Sequence, residues 1–329
     1  MLAVILINTG SPDANSVEKV GEYLAEFLMD EKVIDVAPFF RKLLVKGCIV
    51  PLRKKHSSKA YSSIWTPDGA PLTAISQRLC NKLETQLGVP CEMVMRYGSL
   101  TMHEALRRLQ QRHCSVDSLL LVPLFPHYAM SSYESALEKA LFDIKDYDVT
   151  ITTKAIAPFF GDSLYISSLV ESFKNVSWSE YDCVLFSYHS IPLRHLKKSK
   201  QRGSLEYDYA YQTQETARLV VERLGVAIPY FISYQSALGP KWLKPSTEKL
   251  LKSLPSQGMR RILVICPAFV ADNLETLREI DVDGRELFLS SGGETFTYIS
   301  CLNDNDYWVK NLALLCRTVM DSSKIEYHA

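Results

Sequence analysis

A chain of 329 residues with 37 Lys plus Arg against 37 Asp plus Glu has no net formal charge, so nothing draws the whole molecule to nucleic acid or to an anionic membrane, and any charge effect must be local. The length admits two domains of ordinary size, each with its own core, and no apolar run approaches the length needed to cross a bilayer. Eight cysteines are scattered without a CxxC pair, which offers neither a zinc knuckle nor a disulfide framework and fits a soluble protein of a reducing cytoplasm.

The opening "MLAVILINTG" is apolar but short, lacks a basic flank and runs straight into loop residues. It predicts a first strand, Leu2 to Asn8, and not a signal peptide. In "NSVEKVGEYLAEFLMD" the apolar Val17, Val20, Leu24, Phe27 and Leu28 share one face, and Asn15 with Glu18 resembles a capping box, which predicts a helix from about Ser16 to Met29. Residues 37–60 then mix Phe39, Phe40, Leu43, Leu44, Ile49 and Val50 with Arg41, Lys42, Lys46, Arg53, Lys54 and Lys55. Two readings fit that composition: a helix packed on the core with a solvated basic face, or an apolar lip that admits a flat greasy ligand or touches a membrane surface.

Further strands are predicted at Glu92 to Tyr97, Leu119 to Phe125, Val149 to Ala157, Cys183 to Tyr188, Tyr230 to Tyr234, Ile262 to Pro267 and Glu286 to Leu289, with helical spacing between them. That alternation is the pattern of βαβ units and parallel sheets. Four strands precede residue 158 and four follow it. The expected fold is therefore α/β, with two similar Rossmann-like halves, each a four-stranded parallel sheet flanked by helices, and a ligand cleft between them. The expected halves are residues 1–157 and 158–304, with a final helix in 305–329 packing back on the first half.

Two strand ends carry chemistry. "VPLFPHYAMSS" places two prolines where they stop a ladder, presenting His127 and Tyr128 at a strand's carboxyl end. "VLFSYHSIP" alternates two mostly apolar faces, as a strand covered on both sides does, and stops at His189. A single imidazole at a strand end more often completes a structural contact than performs a reaction, yet in open parallel sheets ligands lie beyond the carboxyl ends of the strands. Downstream, "FVADNLETLREIDVDG" holds Asp272, Glu275, Glu279 and Asp283. If helical, Glu275, Glu279 and Asp283 fall at i, i+4 steps and form one acidic row, which is either a solvated face or a track for a divalent cation or for protons. Imidazole beside carboxylate suits Fe²⁺, Co²⁺ and Zn²⁺.

Together the stretches "LINTGSPDANSVEKVGEYLAEFLMDEKVID", "YSSIWTPDGAPL", "MRYG", "LFPHY", "LFSYHSIP", "YQSALGPKWLKP", "FVADNLETLREID" and "GGETFTYISCLND", in that order, resemble a ferrochelatase along nearly the whole chain. The resemblance implies insertion of Fe²⁺ into a porphyrin in haem synthesis. By motif, His189 matches the family's imidazole and Glu275 the opposing carboxylate, the pair implied for metal binding and catalysis. Glu279 and Asp283 match the acidic row behind them, and Asp272 a supporting carboxylate. Thr9, Gly10, Pro12, Tyr61, Arg96, Tyr97 and Trp242 match porphyrin-pocket positions, and His127 with Tyr128 an outer metal route. Porphyrin and ferrous iron are the implied substrates; no resident cofactor and no iron–sulfur cluster is expected, and peripheral contact with the inner membrane face is compatible with the lip segment. Ala70 stands where many relatives carry serine, and Asn273 where many carry histidine. "LINTGSP" followed by "FLMD" looks more like the branch that uses protoporphyrin than the one that uses coproporphyrin.

The chemistry explains these residue types. A planar porphyrin keeps its nitrogens in the ring plane, two of them protonated, so insertion requires a bent ring, loss of two protons and removal of water from the ion. A neutral imidazole can take a proton or hold the ion in passing, and carboxylates can hand over cations or conduct protons. Two other readings remain at this level: a related chelatase loading cobalt or nickel into a sirohydrochlorin-type ring, and a two-lobed porphyrin or haem carrier without turnover.

Overall fold

The computed structural model describes residues 1–112 and 116–322. It divides into two units, the first holding residues 1–124, 130–157 and, among the described residues, 312–322, the second holding 125–129 and 158–311.

The sheet of the first unit is built from β1 (Leu2–Asn8), β2 (Cys91–Met95), β3 (Ser118–Pro123) and β4 (Thr152–Ala155), all parallel and in the order β2-β1-β3-β4. β1 lies between two neighbours and is covered on both faces, which is why "LAVILIN" is almost continuously apolar and buried. The second sheet repeats the pattern with β5 (Cys183–His189), β6 (Tyr230–Gln235), β7 (Arg261–Ile265) and β8 (Thr295–Ile299), ordered β6-β5-β7-β8 and again wholly parallel. The α/β class and the two four-stranded sheets are those expected from the strand spacing.

Several boundaries moved, each for a local reason. The eighth strand is not at Glu286 to Leu289, which lies in the helix Arg285–Ser290; the strand is "TFTYI" after the Gly292–Gly293 turn. Phe288 is fully buried against Phe296, so its apolar character marks the inner face of a helix. β4 starts later than expected because Asp148 accepts from the N–H and hydroxyl of Thr150 at 2.9 and 2.7 Å, keeping Val149 and Thr150 in a turn. The helix Val17–Met29 is capped by Ser16, whose hydroxyl accepts from the Lys19 N–H at 3.2 Å, not by Asn15.

Residues 38–64 form one helical run, Pro38–Lys42, a wider π-helical stretch Leu43–Ile49, and Val50–Ile64. Its inner face is Val45, Ser58 and Tyr61. The expected partition is inverted at one end: Arg41 is buried and donates to the carbonyls of Met29 and Val36, both at 3.0 Å, while Phe39 (74% exposed), Phe40 (64%) and Leu52 (79%) face out. The final helix, Asp306–Asp321, is divided between the units at Leu312; the expectation for residues 323–329 lies outside the described residues. Within the first unit its Arg317 donates to the Gln86 carbonyl at 2.8 Å. The seven described cysteines are all unpaired, and no described helix is long and apolar enough to cross a membrane.

Candidate active site

In the second unit β5 ends on His189, with its last register pair formed by His189 and Gln235 of β6. The backbone and the ring are each held by one hydrogen bond. The Tyr209 hydroxyl donates to the His189 carbonyl at 2.8 Å, and Nδ1 lies 2.7 Å from the Ser190 carbonyl oxygen. A carbonyl only accepts, so Nδ1 carries the hydrogen and Nε2 keeps the lone pair. Burial lowers the imidazole pKa below its ordinary value, opposed in part by the charge of Glu279 and by the Ser190 carbonyl, so the ring is neutral at pH 7.

The acidic segment opens with a reciprocal cap. Asn273 Oδ1 accepts from the Thr276 N–H at 3.1 Å while Thr276 Oγ1 accepts from the Asn273 N–H at 3.0 Å. Asn273 is thus a helix cap, buried and spoken for. Residues Glu275–Gly284 then run as a π-helix, continued by Arg285–Ser290. Its i→i+5 bonding bears on the predicted row. The Glu279 charge acts on Glu275, while Asp283 pairs with Arg278, five positions back, at 2.7 Å on the surface.

Glu275 is half-buried in dense surroundings; burial first, then the neighbouring Glu279 charge, push its pKa up to about 7. Glu279 is exposed and accepts from the Ser236 hydroxyl at 2.7 Å. Asp272, by contrast, is buried and saturated with donors: Tyr298 OH at 2.6 Å, Thr276 Oγ1 at 2.9 Å and Asn303 Nδ2 at 2.7 Å. It anchors the start of the segment. Among the described residues no group of three or more His, Cys, Asp or Glu side chains is arranged to hold a metal ion.

His127 and Tyr128, matched by motif to an outer metal route, are both buried. His127 is 2% exposed, packed against Tyr188 and Tyr209, with Nε2 2.9 Å from Thr216 Oγ1, and burial pushes its pKa down to about 3. Tyr128 is buried likewise. Trp242 is half-buried and bridges Pro192, just after the His189 strand.

The remaining predicted positions belong to the first unit. Gly10 has φ 107°, and a Cβ there would stand 2.1 Å from the Tyr97 carbonyl oxygen, so only glycine lets the loop Thr9–Pro12 lie against the end of β2. Tyr61 is buried edge-on to Tyr23 and Trp65. Arg96 and Tyr97 meet at a carboxylate that sequence reasoning did not single out: Asp30 accepts from Arg96 at 2.5 Å, from Tyr97 OH at 2.7 Å, and from Ser135. Burial raises the Asp30 pKa, but the bonds from Ser135, the Lys32 N–H and Tyr97, with the Arg96 charge, outweigh it and hold the carboxyl below its usual value. Ala70 is buried at the start of the helix Pro71–Leu87 and supplies no side-chain cap.

Comparison with known proteins decides the family. A ferrochelatase family model matches residues 1–320. The ferrochelatase of Opitutus terrae is 41% identical over 98% of this chain and 98% of its own, and that of Azotobacter vinelandii 37% identical over 96% and 98%. The chain belongs to the ferrochelatase family. Its activity is that of a metal chelatase of haem synthesis, as the sequence motifs implied. Among solved structures, SirB from Bacillus subtilis with Fe³⁺ aligns over 98% of this chain and 96% of its own with a TM-score of 0.59 at 11% identity, a likeness of fold. In the second unit the Glu279 charge bears on both His189, at the end of β5, and Glu275.

Proposed function

We propose that the chain inserts Fe²⁺ into protoporphyrin IX with release of two protons, that His189 Nε2 accepts the first of them, and that Glu275 and Glu279 carry protons outward. The observation that carries this reading is a neutral imidazole, locked with its lone pair on Nε2, and a carboxyl pushed up to about 7, both within reach of the Glu279 charge. A base poised near neutrality can take a proton and release it again within one turnover. Glu275 is half-buried and Glu279 exposed, so the path runs from the interior to solvent. Fe²⁺ enters as substrate; with no three-ligand cage among the described residues, the chain offers the ion few ligands and the macrocycle nitrogens complete its coordination.

Porphyrin contacts are assigned in each unit by itself: Thr9, Gly10, Pro12 and Tyr61 in the first, Trp242 in the second. Arg96 and Tyr97, engaged by Asp30, serve as rigid wall rather than as propionate clamps. The bare apolar face of residues 38–64 supports cytoplasmic action with peripheral contact at a membrane surface, where a greasy ring is handed over.

The test is anaerobic insertion of Fe²⁺ into protoporphyrin and coproporphyrin by the purified protein, followed by visible absorption. Faster turnover of protoporphyrin, abolished in His189→Ala with porphyrin binding retained, is the expected result. Preference for coproporphyrin reassigns the ring, and wild-type turnover by His189→Ala removes the imidazole from the mechanism.

A further inference from the structure

Ser236 stands one residue beyond Gln235, the register partner of His189. Its hydroxyl donates to the Glu279 carboxylate at 2.7 Å. Its backbone is left-handed, with φ 59°, a conformation that is strained for residues bearing a Cβ and that asparagine and glycine tolerate far better. Such strain persists only where the surroundings hold it, and it gathers where a side chain has a task.

Among the described residues the other non-glycine with positive φ is Asn303, at 52°. Its side chain also donates to an acid of the same segment, Asp272, at 2.7 Å. Both unusual backbones thus deliver a hydrogen-bond donor to the stretch that carries Glu275. At 303 the residue suits its backbone. At 236 it does not, and what serine supplies there that glycine would not is the hydroxyl.

That hydroxyl fixes a charge that reaches two groups. Glu279 follows Glu275 by four residues on the same π-helix and is tied through Ser236 to the strand end that pairs with His189, and at short range the influence of a charge depends steeply on where the carboxylate is held. We propose that Ser236 is a positioning residue for metal insertion, holding the Glu279 carboxylate in register with Glu275 and His189. It acts through Glu279, and its role rests on the reading of those three residues given above.

Ser236→Gly removes the hydroxyl and relaxes the backbone, so the variant should be at least as heat-stable as the wild type. In the anaerobic assay its kcat/KM for Fe²⁺ should nonetheless fall about tenfold, the scale of one hydrogen bond to a charged group, with the KM for porphyrin unchanged. Ser236→Asn, which suits the backbone and restores a donor, should recover most of the loss. Glu279→Ala should also be impaired, and adding Ser236→Gly to it should cost nothing more, because the two residues act as a unit. Wild-type efficiency of Ser236→Gly, no recovery by asparagine, or independent losses in the double variant would each overturn the role. Should His189→Ala and Glu275→Gln be inactive while Ser236→Gly is not, only the role of Ser236 falls; if those two turn over normally, the site reading falls with it.

Discussion

Asp30 in the first unit and Glu275 in the second are both withdrawn from water, and they titrate in opposite directions. Asp30 collects donors from Arg96, Tyr97, Ser135 and the Lys32 backbone, which together overcome burial and keep it ionised. Glu275 has only a backbone N–H to favour its charge, against burial and the neighbouring Glu279, and rises to about 7. A buried carboxylate saturated with donors stabilises a fold; one short of donors is left able to exchange a proton near neutral pH. Asp272 likewise collects donors, from Thr276, Tyr298 and Asn303, which anchor the start of its segment.

The comparison breaks first at turnover. Glu275→Gln should lower insertion by 10²-fold or more, the range for a lost acid–base group, while porphyrin affinity by fluorescence quenching changes little; an undiminished rate would put Glu275 among the structural acids. Asp30→Asn should do the reverse, destabilising the protein by about 3 kcal/mol in urea titration, because the Arg96 guanidinium loses its partner in a half-buried site. A midpoint unchanged from wild type would show that the Asp30 node is replaceable.

The two acids should also impose opposite slopes on stability with pH. The folded chain keeps the Glu275 proton up to about pH 7, whereas the unfolded chain releases it near the model-peptide value of 4.5. The folded state therefore binds more protons in that window, and stability falls as pH rises through it, by about 3 kcal/mol in all at 1.36 kcal/mol per unit. His189, lowered from 6.5, slopes the other way, so the Glu275 contribution is read as the difference between wild type and Glu275→Gln. The variant should be the more stable of the two at pH 8, and equality there would sharpen the contrast away. Asp30 contributes stability above its unfolded value of 3.8, which is lost as pH falls through its lowered one. The smallest effect is at the cap: Asn273→Ala should cost about 1 kcal/mol by thermal melting, with a second-order loss of activity from a loosened Glu275.

Much of this was readable from residues alone, and the limits have physical causes. β1, β3, β5 and β7 are largely apolar runs whose burial on two faces leaves a mark in composition, and His189 sits where such a run stops. The eighth strand was lost because Phe288 and Leu289 belong to a helix whose inner face looks like a short strand. Asp30 and Ser236 left no signal: their partners lie 66 and 43 positions away in the chain, and a donor count exists only after folding. The π-helix at Glu275 was equally silent, since a four-residue spacing fits α- and π-helical turns alike.

Arg41 has a consequence for handling the protein. By bonding the carbonyls of Met29 and Val36 it ties the base of the run that begins at Pro38, so Phe39, Phe40 and Leu43 are held outward on a braced support and cannot fold away. Purification should therefore see a sticky molecule: retention on phenyl resin, loss to plastic at low concentration, and recovery by mild detergent are all expected of a surface that presents aromatic rings in a fixed array.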